Sequence, residues 1–300
     1  MSIEDLNKKY GIQNNVEFFS GKGGWPYAKL TTKKSESVVS VYGAHVLNFV
    51  PKNTKDLLWK TDQSFYEQGK PIRGGIPICW PWFGPHPTDS GKPMHGFARI
   101  SMWEIVKTSV KENGSVQLVL GLSDSDYTKA IWPFSFEAQL SVTINESLTV
   151  ELSIENTDTK EFSFTDALHS YLLVGDASQI TIEGLEGASY HDGLENNKLK
   201  QQPEKILRIN KEENRRYINT SSTCNLADPV LKRKIIVKKH NSNTTVVWNP
   251  WIETAKSFAD LDDEGYKTMV CIETANAFNE VINLPPKEKF SVCTIISTEE

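Results

Sequence analysis

The stretch FSFEAQLSVTI, Phe134–Ile144, followed by SLTVELSIEN, Ser147–Asn156, decides the fold class. Phe134, Phe136, Ala138, Leu140, Val142 and Ile144 alternate with Ser135, Glu137, Gln139, Ser141 and Thr143. A period of two puts the apolar side chains on one face of an extended chain and the polar ones on the other. Leu148, Val150, Leu152 and Ile154 repeat the pattern, and the short polar link INES at Ile144–Ser147 makes the two runs a hairpin.

Working outward, the same reading gives strands at Ser37–Phe49, Trp103–Val110, Ser115–Leu122, Ser163–Val174, Gln179–Glu183, Lys234–His240, Thr244–Trp248, Thr268–Thr274 and Ser291–Ser297. Helical patterns are few: Ile3–Tyr10, Asp126–Ile131 and Ala255–Leu261. No Gly/Ser linker, low-complexity tract or fixed-period repeat interrupts the chain. The expectation is an all-β protein, one large antiparallel β-sandwich with few short helices, forming a single domain over residues 1–300.

Composition narrows the function classes. Hydrophobic residues make up 38% and charged residues 24%, proportions of a globular chain. A net charge of −5 argues against nucleic acid as a bulk electrostatic partner, though it leaves room for a local anion pocket. The start, MSIEDLNKKYG, carries no apolar leader, and no stretch reaches the roughly 20 apolar residues of a membrane span. Cys79, Cys224, Cys271 and Cys293 lack CxxC spacing, which suits reduced core thiols and a cytoplasmic location. Nothing demands an oligomer, so a monomer is expected.

One segment does not fit the strand pattern. PIRGGIPICWPWFGPHPTDSGKPMHGFAR, Pro71–Arg99, contains Pro71, Pro77, Pro81, Pro85, Pro87 and Pro93, too many missing backbone donors for a central strand. It reads as a long ordered excursion across the sheet, and long ordered loops in compact domains tend to carry function. Trp80, Trp82 and Phe83 suit the apolar faces of a pyranose ring, but composition alone favours core packing or loop pinning for them. Arg73 and Arg99 flank the segment with side chains suited to phosphate or carboxylate, or simply to water.

Elsewhere, metal and nucleotide signatures are missing. GKGG at Gly21–Gly24 lacks the strand, helix and hydroxyl of a phosphate loop, no HExxH or Gly-x-Ser-x-Gly occurs, and the six histidines are not at metal-ligand spacing. His169, in TDALHSYLLV, shares a face with Ala167 and Tyr171 by alternation. Glu273, in MVCIETANAF, lies on an otherwise apolar face with Met269, Cys271 and Ala275. Burial there would lift its pKa toward that of a working base, or it could answer a buried arginine. Asp192, before Gly193, reads as a turn residue.

Taken together, YGAHVLNF and DLLW (residues 42–59), RGGIPICWPWFG, HGFAR, IWPFSFEAQLSVTI, DALHSYLLV, SYHDG, TVVWNPW and VCIETAN run in an order that resembles the aldose 1-epimerase, or galactose mutarotase-like, superfamily. The resemblance is strongest to its hexose-6-phosphate mutarotase branch. It implies a β-supersandwich and an isomerase that interconverts the anomers of a hexose 6-phosphate, foremost glucose 6-phosphate, without metal or cofactor. Matched residue by residue, it implies His169 as general acid and Glu273 as general base. It also implies His95 and Asp192 as sugar contacts, with Arg73 and Arg99 on the phosphate. Met94 stands where some fungal members have glutamine, so no side-chain hydrogen bond is expected from it. Two other functions remain open on the sequence: an aldose 1-epimerase for free galactose or glucose, and a non-catalytic carbohydrate-binding module on the same fold.

Overall fold

The alternating stretch forms the hairpin it predicts. Phe136–Ile144 pairs with Leu148–Asn156 in unbroken antiparallel register from Phe136↔Asn156 to Ile144↔Leu148. The computed structural model describes residues 1–299, and two eight-stranded sheets dominate it. The first sheet, here the regular sheet, runs Thr181–Glu183, Cys224–Asp228, Arg233–His240, Lys289–Glu299, Leu148–Asn156, Phe136–Ile144, Val116–Ser123, Glu104–Val110. The second, here the site sheet, runs Lys198–Gln201, Ser189–Asp192, Glu213–Tyr217, Thr244–Asn249, Met269–Asn276, Asp166–Leu168, Ile78–Cys79, with Tyr171–Leu173 also paired to Met269–Asn276. A four-stranded sheet over Val16–Pro51 completes the main architecture, and every strand pair is antiparallel.

The core explains the layering. Leu140, Val142, Leu152 and Ile154 of the regular sheet share one apolar cluster with Leu168, Tyr217, Val247, Val270 and Ile272 of the site sheet. Alternation then sends Cys271, Glu273 and Ala275 to the opposite face of Met269–Asn276. That face is covered as well, and all eight residues of the strand are buried. The β-sandwich expected from the pattern is the one observed. The helix candidates Ile3–Tyr10 and Asp126–Ile131 form over those residues, each opened by a serine that accepts a hydrogen bond from the third backbone N–H of its helix. The third helix is Trp251–Ser257, not Ala255–Leu261, because Asn249 Oδ1 accepts from the Trp251 N–H and starts the turn earlier.

Two long strand candidates are broken. Ser37–Phe49 divides into Ser35–Ser40 and His45–Pro51 around a turn in which Gly43 and Ala44 adopt positive φ. Ser163–Val174 divides into Phe162–Phe164, Asp166–Leu168 and Tyr171–Leu173, and the second break falls at His169. Apolar runs on both sides of these breaks look continuous in sequence, and hydrogen bonds to remote carbonyls end them.

Candidate active site

RGGIP and DALHSY meet edge to edge. The His169 N–H donates to the Pro77 carbonyl at 3.0 Å and the Tyr171 N–H to the Gly75 carbonyl at 2.9 Å, so the loop holds open the strand break that turns His169 toward the cleft. On the neighbouring strand Glu273 faces it, with His169 Nε2 3.4 Å from Glu273 Oε1. The imidazole stacks on Tyr171, with centroids 4.7 Å apart, and meets Trp248 edge-on at 6.1 Å. His169 Nδ1 and Glu273 Oε2 are both buried without a hydrogen-bond partner. Unpaired buried polar atoms are costly, and in a cleft they mark where a polar ligand docks.

The Gly/Pro segment forms the rim. The His95 N–H donates to the Gly84 carbonyl at 2.7 Å, and the Gly84 N–H returns to His95 Nδ1 at 3.0 Å. His95 therefore carries its proton on Nε2 when neutral, a donor on the side away from Gly84. Its ring lies 6.0 Å from that of His169. The turn is possible because Gly96, at φ +72, has no Cβ; one would sit 2.0 Å from the Trp80 carbonyl oxygen. These bonds pin the ends of the loop together while Pro85–Pro93 bulges out. Only Ile78–Cys79 joins the site sheet, at its edge, where the flanking prolines do no harm.

Trp80 takes the core role and not that of a sugar platform: it is fully buried and packs edge-on against Phe97, Trp132 and Phe136. Trp82 is buried too, with its indole N–H on the Pro93 carbonyl at 2.9 Å. Phe83 alone of the three stays partly open. It packs against His95 at 4.9 Å and lines a cavity of about 680 Å³ with Trp82, Gly84, Thr165, Arg216 and Phe278.

The two arginines are not equivalent. Arg73 donates Nη2 to Asp260 Oδ1 at 2.8 Å and Nε to Asp260 Oδ2 at 3.2 Å, a forked ion pair. Its Nη1 reaches the Tyr171 hydroxyl at 3.3 Å, and the guanidinium lies over Phe258. Arg99 donates Nη2 to the Met94 carbonyl at 2.7 Å, and its Nε is buried without a partner. Among the described residues no carboxylate lies within ion-pair distance of it. Met94 thus contributes its backbone, while its side chain is exposed.

Asp192 stands apart from the pair. It alternates with Tyr190, on the face of Ser189–Asp192 turned to the core, while His191 takes the other face. Its oxygens accept from Lys200 Nζ at 2.8 Å and from the Leu194 N–H at 3.0 Å. The structure brings together His169, Glu273, His95, Arg99 and Arg73, and engages Asp192 in its own turn. Three contributors escaped the sequence reading: Asp260, Tyr171 as the stacking partner of His169, and Arg216, which sits in the polar run ENRRY that carries no apolar alternation.

Burial dominates the electrostatics. It pushes the Glu273 carboxyl well above its ordinary range, with Arg216 and then Arg99 pulling it back. It pulls His169 down to about 3, with Arg99 and Arg73 adding to the effect. His95 is lowered too, by burial first and then by Arg99. His169, Cys271 and Glu273 bring nitrogen, sulfur and oxygen atoms within 4.8 Å of one another, a donor set a metal could use. The surrounding guanidinium groups of Arg99 and Arg216 oppose a cation there and favour an anion.

The chain resembles known proteins over most of its length. A protein of Salmonella typhimurium named "Putative glucose-6-phosphate 1-epimerase" is 34% identical over 238 residues, 79% of each chain. One of the same name from Cenchrus ciliaris is 35% identical over 265 residues, covering 84% of this chain and 78% of its own. The crystal structure described as a "putative mutarotase (YeaD) from Salmonella typhimurium" superposes with a TM-score of 0.90 over 99% of both chains at 28% identity. The sequence model of the aldose 1-epimerase family matches residues 27–297, and with that span and a site open on one face of the sandwich, the chain belongs to the aldose 1-epimerase family.

Proposed function

We propose that the protein interconverts the α and β anomers of hexose 6-phosphates, with glucose 6-phosphate as the leading substrate. The observation that carries this reading is Arg99: a half-buried guanidinium with no carboxylate partner among the described residues, set beside an acid–base pair in contact. A sugar phosphate supplies both the anion for the one and the hydroxyls for the other. The names of the relatives point to the same substrate. Arg73, held by Asp260, frames the anion with its remaining donors rather than carrying it.

The chemistry needs one proton shared between two groups. For ring opening, the Glu273 carboxylate takes the proton of the anomeric hydroxyl while the C1–O5 bond breaks. O5 then receives a proton from the His169 imidazolium. The aldehyde turns about C1–C2, and the pair in reversed roles closes the ring on its other face. Burial favours the neutral pair, with the proton on the carboxyl, which is the state that ring opening leaves behind. The cations near Glu273 keep the charged state within reach. His95, with its outward Nε2–H, donates to a sugar oxygen.

One apolar cluster gathers residues from Leu6 to Ile296, which supports a single domain. All four cysteines are free and buried, in keeping with a reducing cytoplasmic setting.

The test is anomer exchange by NMR on glucose 6-phosphate and on glucose, with wild type beside Glu273→Gln and His169→Asn. Fast exchange on the phosphate in wild type, lost by a factor of about 1,000 in each variant, is expected. No acceleration by wild type on either sugar sinks the reading and leaves a binding module. Equal acceleration on both sugars replaces it with a free-aldose epimerase.

A further inference from the structure

Arg216 occupies a position that the acid–base pair alone does not explain. Strand register sets Arg216 opposite Val246, and Val246 opposite Glu273. Residues opposed across antiparallel strands project to one face, so the three stand in a row. Two strand spacings, about 10 Å, separate the outer two at the backbone. Only the apolar Val246 stands between them, and it packs with Ala275, Ala167 and Cys79, which carry the small apolar floor on past Glu273.

The guanidinium is also held in place. It lies over the Phe278 ring at 4.8 Å, and Nη1 donates to Asn197 Oδ1. Its Nε is buried without a partner, and among the described residues no carboxylate is within ion-pair distance. Gly193 makes the room. A Cβ built on it would lie 2.9 Å from Arg216 Nη2 and 2.7 Å from Asn214 Cγ. The Gly193 backbone is not left-handed, so space rather than conformation requires glycine there.

We propose that Arg216 is the positioning residue that holds the Glu273 carboxyl in its charged form, and that Gly193 is glycine to let the guanidinium lie there. The catalytic consequence rests on Glu273 acting as the base. Glu273 faces Cys271 on its own strand, His169 and Tyr171 at the strand break, Cys79 on the edge strand, and His95 and Arg99 from the rim. Of the cations nearby, Arg73 is compensated by Asp260 and Arg99 is assigned to the phosphate. Arg216 is the one left to Glu273, and it opposes the burial that would keep the carboxyl protonated.

The experiment is carbon-13 NMR of protein labelled at the glutamate carboxyls, with the Glu273 resonance assigned by its loss in Glu273→Gln. In Arg216→Met the titration midpoint of that resonance rises by about one pH unit, and Arg216→Lys restores most of it. In parallel, Arg216→Met lowers kcat on glucose 6-phosphate about tenfold with KM within about twofold. Gly193→Ala, which displaces the guanidinium and keeps its charge, moves the midpoint the same way by less; it decides the matter if Arg216→Met does not fold. An unmoved midpoint overturns the proposal, as does a raised KM with unchanged kcat, which would make Arg216 a sugar contact. A wild-type protein that anomerises no sugar removes the proposed function, and the carboxyl titration still decides the role of Arg216.

Discussion

The two large sheets use the same antiparallel pairing for opposite purposes. In the regular sheet, Phe136–Ile144 buries every second residue and leaves the others exposed or half-buried, the pattern of a sheet with one wet face. In the site sheet, Met269–Asn276 is buried on both faces, and its cleft side is carpeted with small residues from which Glu273 rises. The regular strands are long and unbroken. The site sheet is built from pieces as short as Ile78–Cys79 and interrupted at His169. A sheet that only has to bury a core is free to be periodic. One that has to aim an imidazole and a carboxylate at the same sugar gives up periodicity where they meet.

Several measurements sharpen or break that contrast. The largest effect belongs to the site sheet: Glu273→Gln removes about 1,000-fold of the anomerisation rate while the melting curve stays close to wild type, because a neutral amide suits the buried position. A large loss of stability in that variant would mean the carboxylate is structural. The regular sheet responds in the opposite sense. Leu140→Ala, at a fully buried position between Leu120 and Leu152, costs about 3 kcal/mol in denaturant unfolding and leaves kcat of the folded enzyme unchanged. A kcat change there would show that the two sheets are coupled.

Next come the two arginines. Arg99→Met is expected to raise KM for glucose 6-phosphate about 100-fold, with little effect on free glucose. Arg73→Met, which leaves Asp260 buried and unpaired, lowers stability and has the smaller effect on KM. The reverse ranking would put the phosphate on Arg73.

The smallest effect is linked to pH. His45 is fully buried with Nε2 on the Gly74 carbonyl at 2.7 Å, which ties the four-stranded sheet to the RGGIP turn. Burial lowers it to about 4. A histidine depressed in the folded state contributes stability that is present above its unfolded pKa of about 6.5 and fades as pH falls toward 4. Wild type is therefore expected to lose about 2 kcal/mol more than His45→Gln between pH 7 and pH 4, read from paired urea titrations. Parallel pH dependence in the two proteins would contradict the burial.

How far the chain can be read without coordinates follows the same division. The hairpin Phe136–Asn156 is legible because one wet face writes a polar residue at every second position, and its register needs nothing from elsewhere. Glu273 stood out for a related reason, as a carboxylate on an apolar face. Strands such as Glu213–Tyr217 escaped because their cleft side is polar, and Arg216 escaped with them. Trp80 and Phe83 are neighbours of similar chemistry, and only packing separates the core residue from the one at the cleft.

The sequence by itself determined the all-β class, the long hairpin, the ordered Gly/Pro rim and the residue types of an acid–base site. These depend on local periodicity, backbone restriction and side-chain chemistry. Tertiary structure alone decided that His169 sits in a strand break held by the Pro77 and Gly75 carbonyls, and that Asp260 neutralises Arg73 while Arg99 stays unpaired. It alone turned Asp192 to the core side and lined Arg216 up with Glu273. Those outcomes depend on which remote groups share a face or reach within hydrogen-bond distance, and a side chain's charge partner is set by the register of strands far apart in the chain.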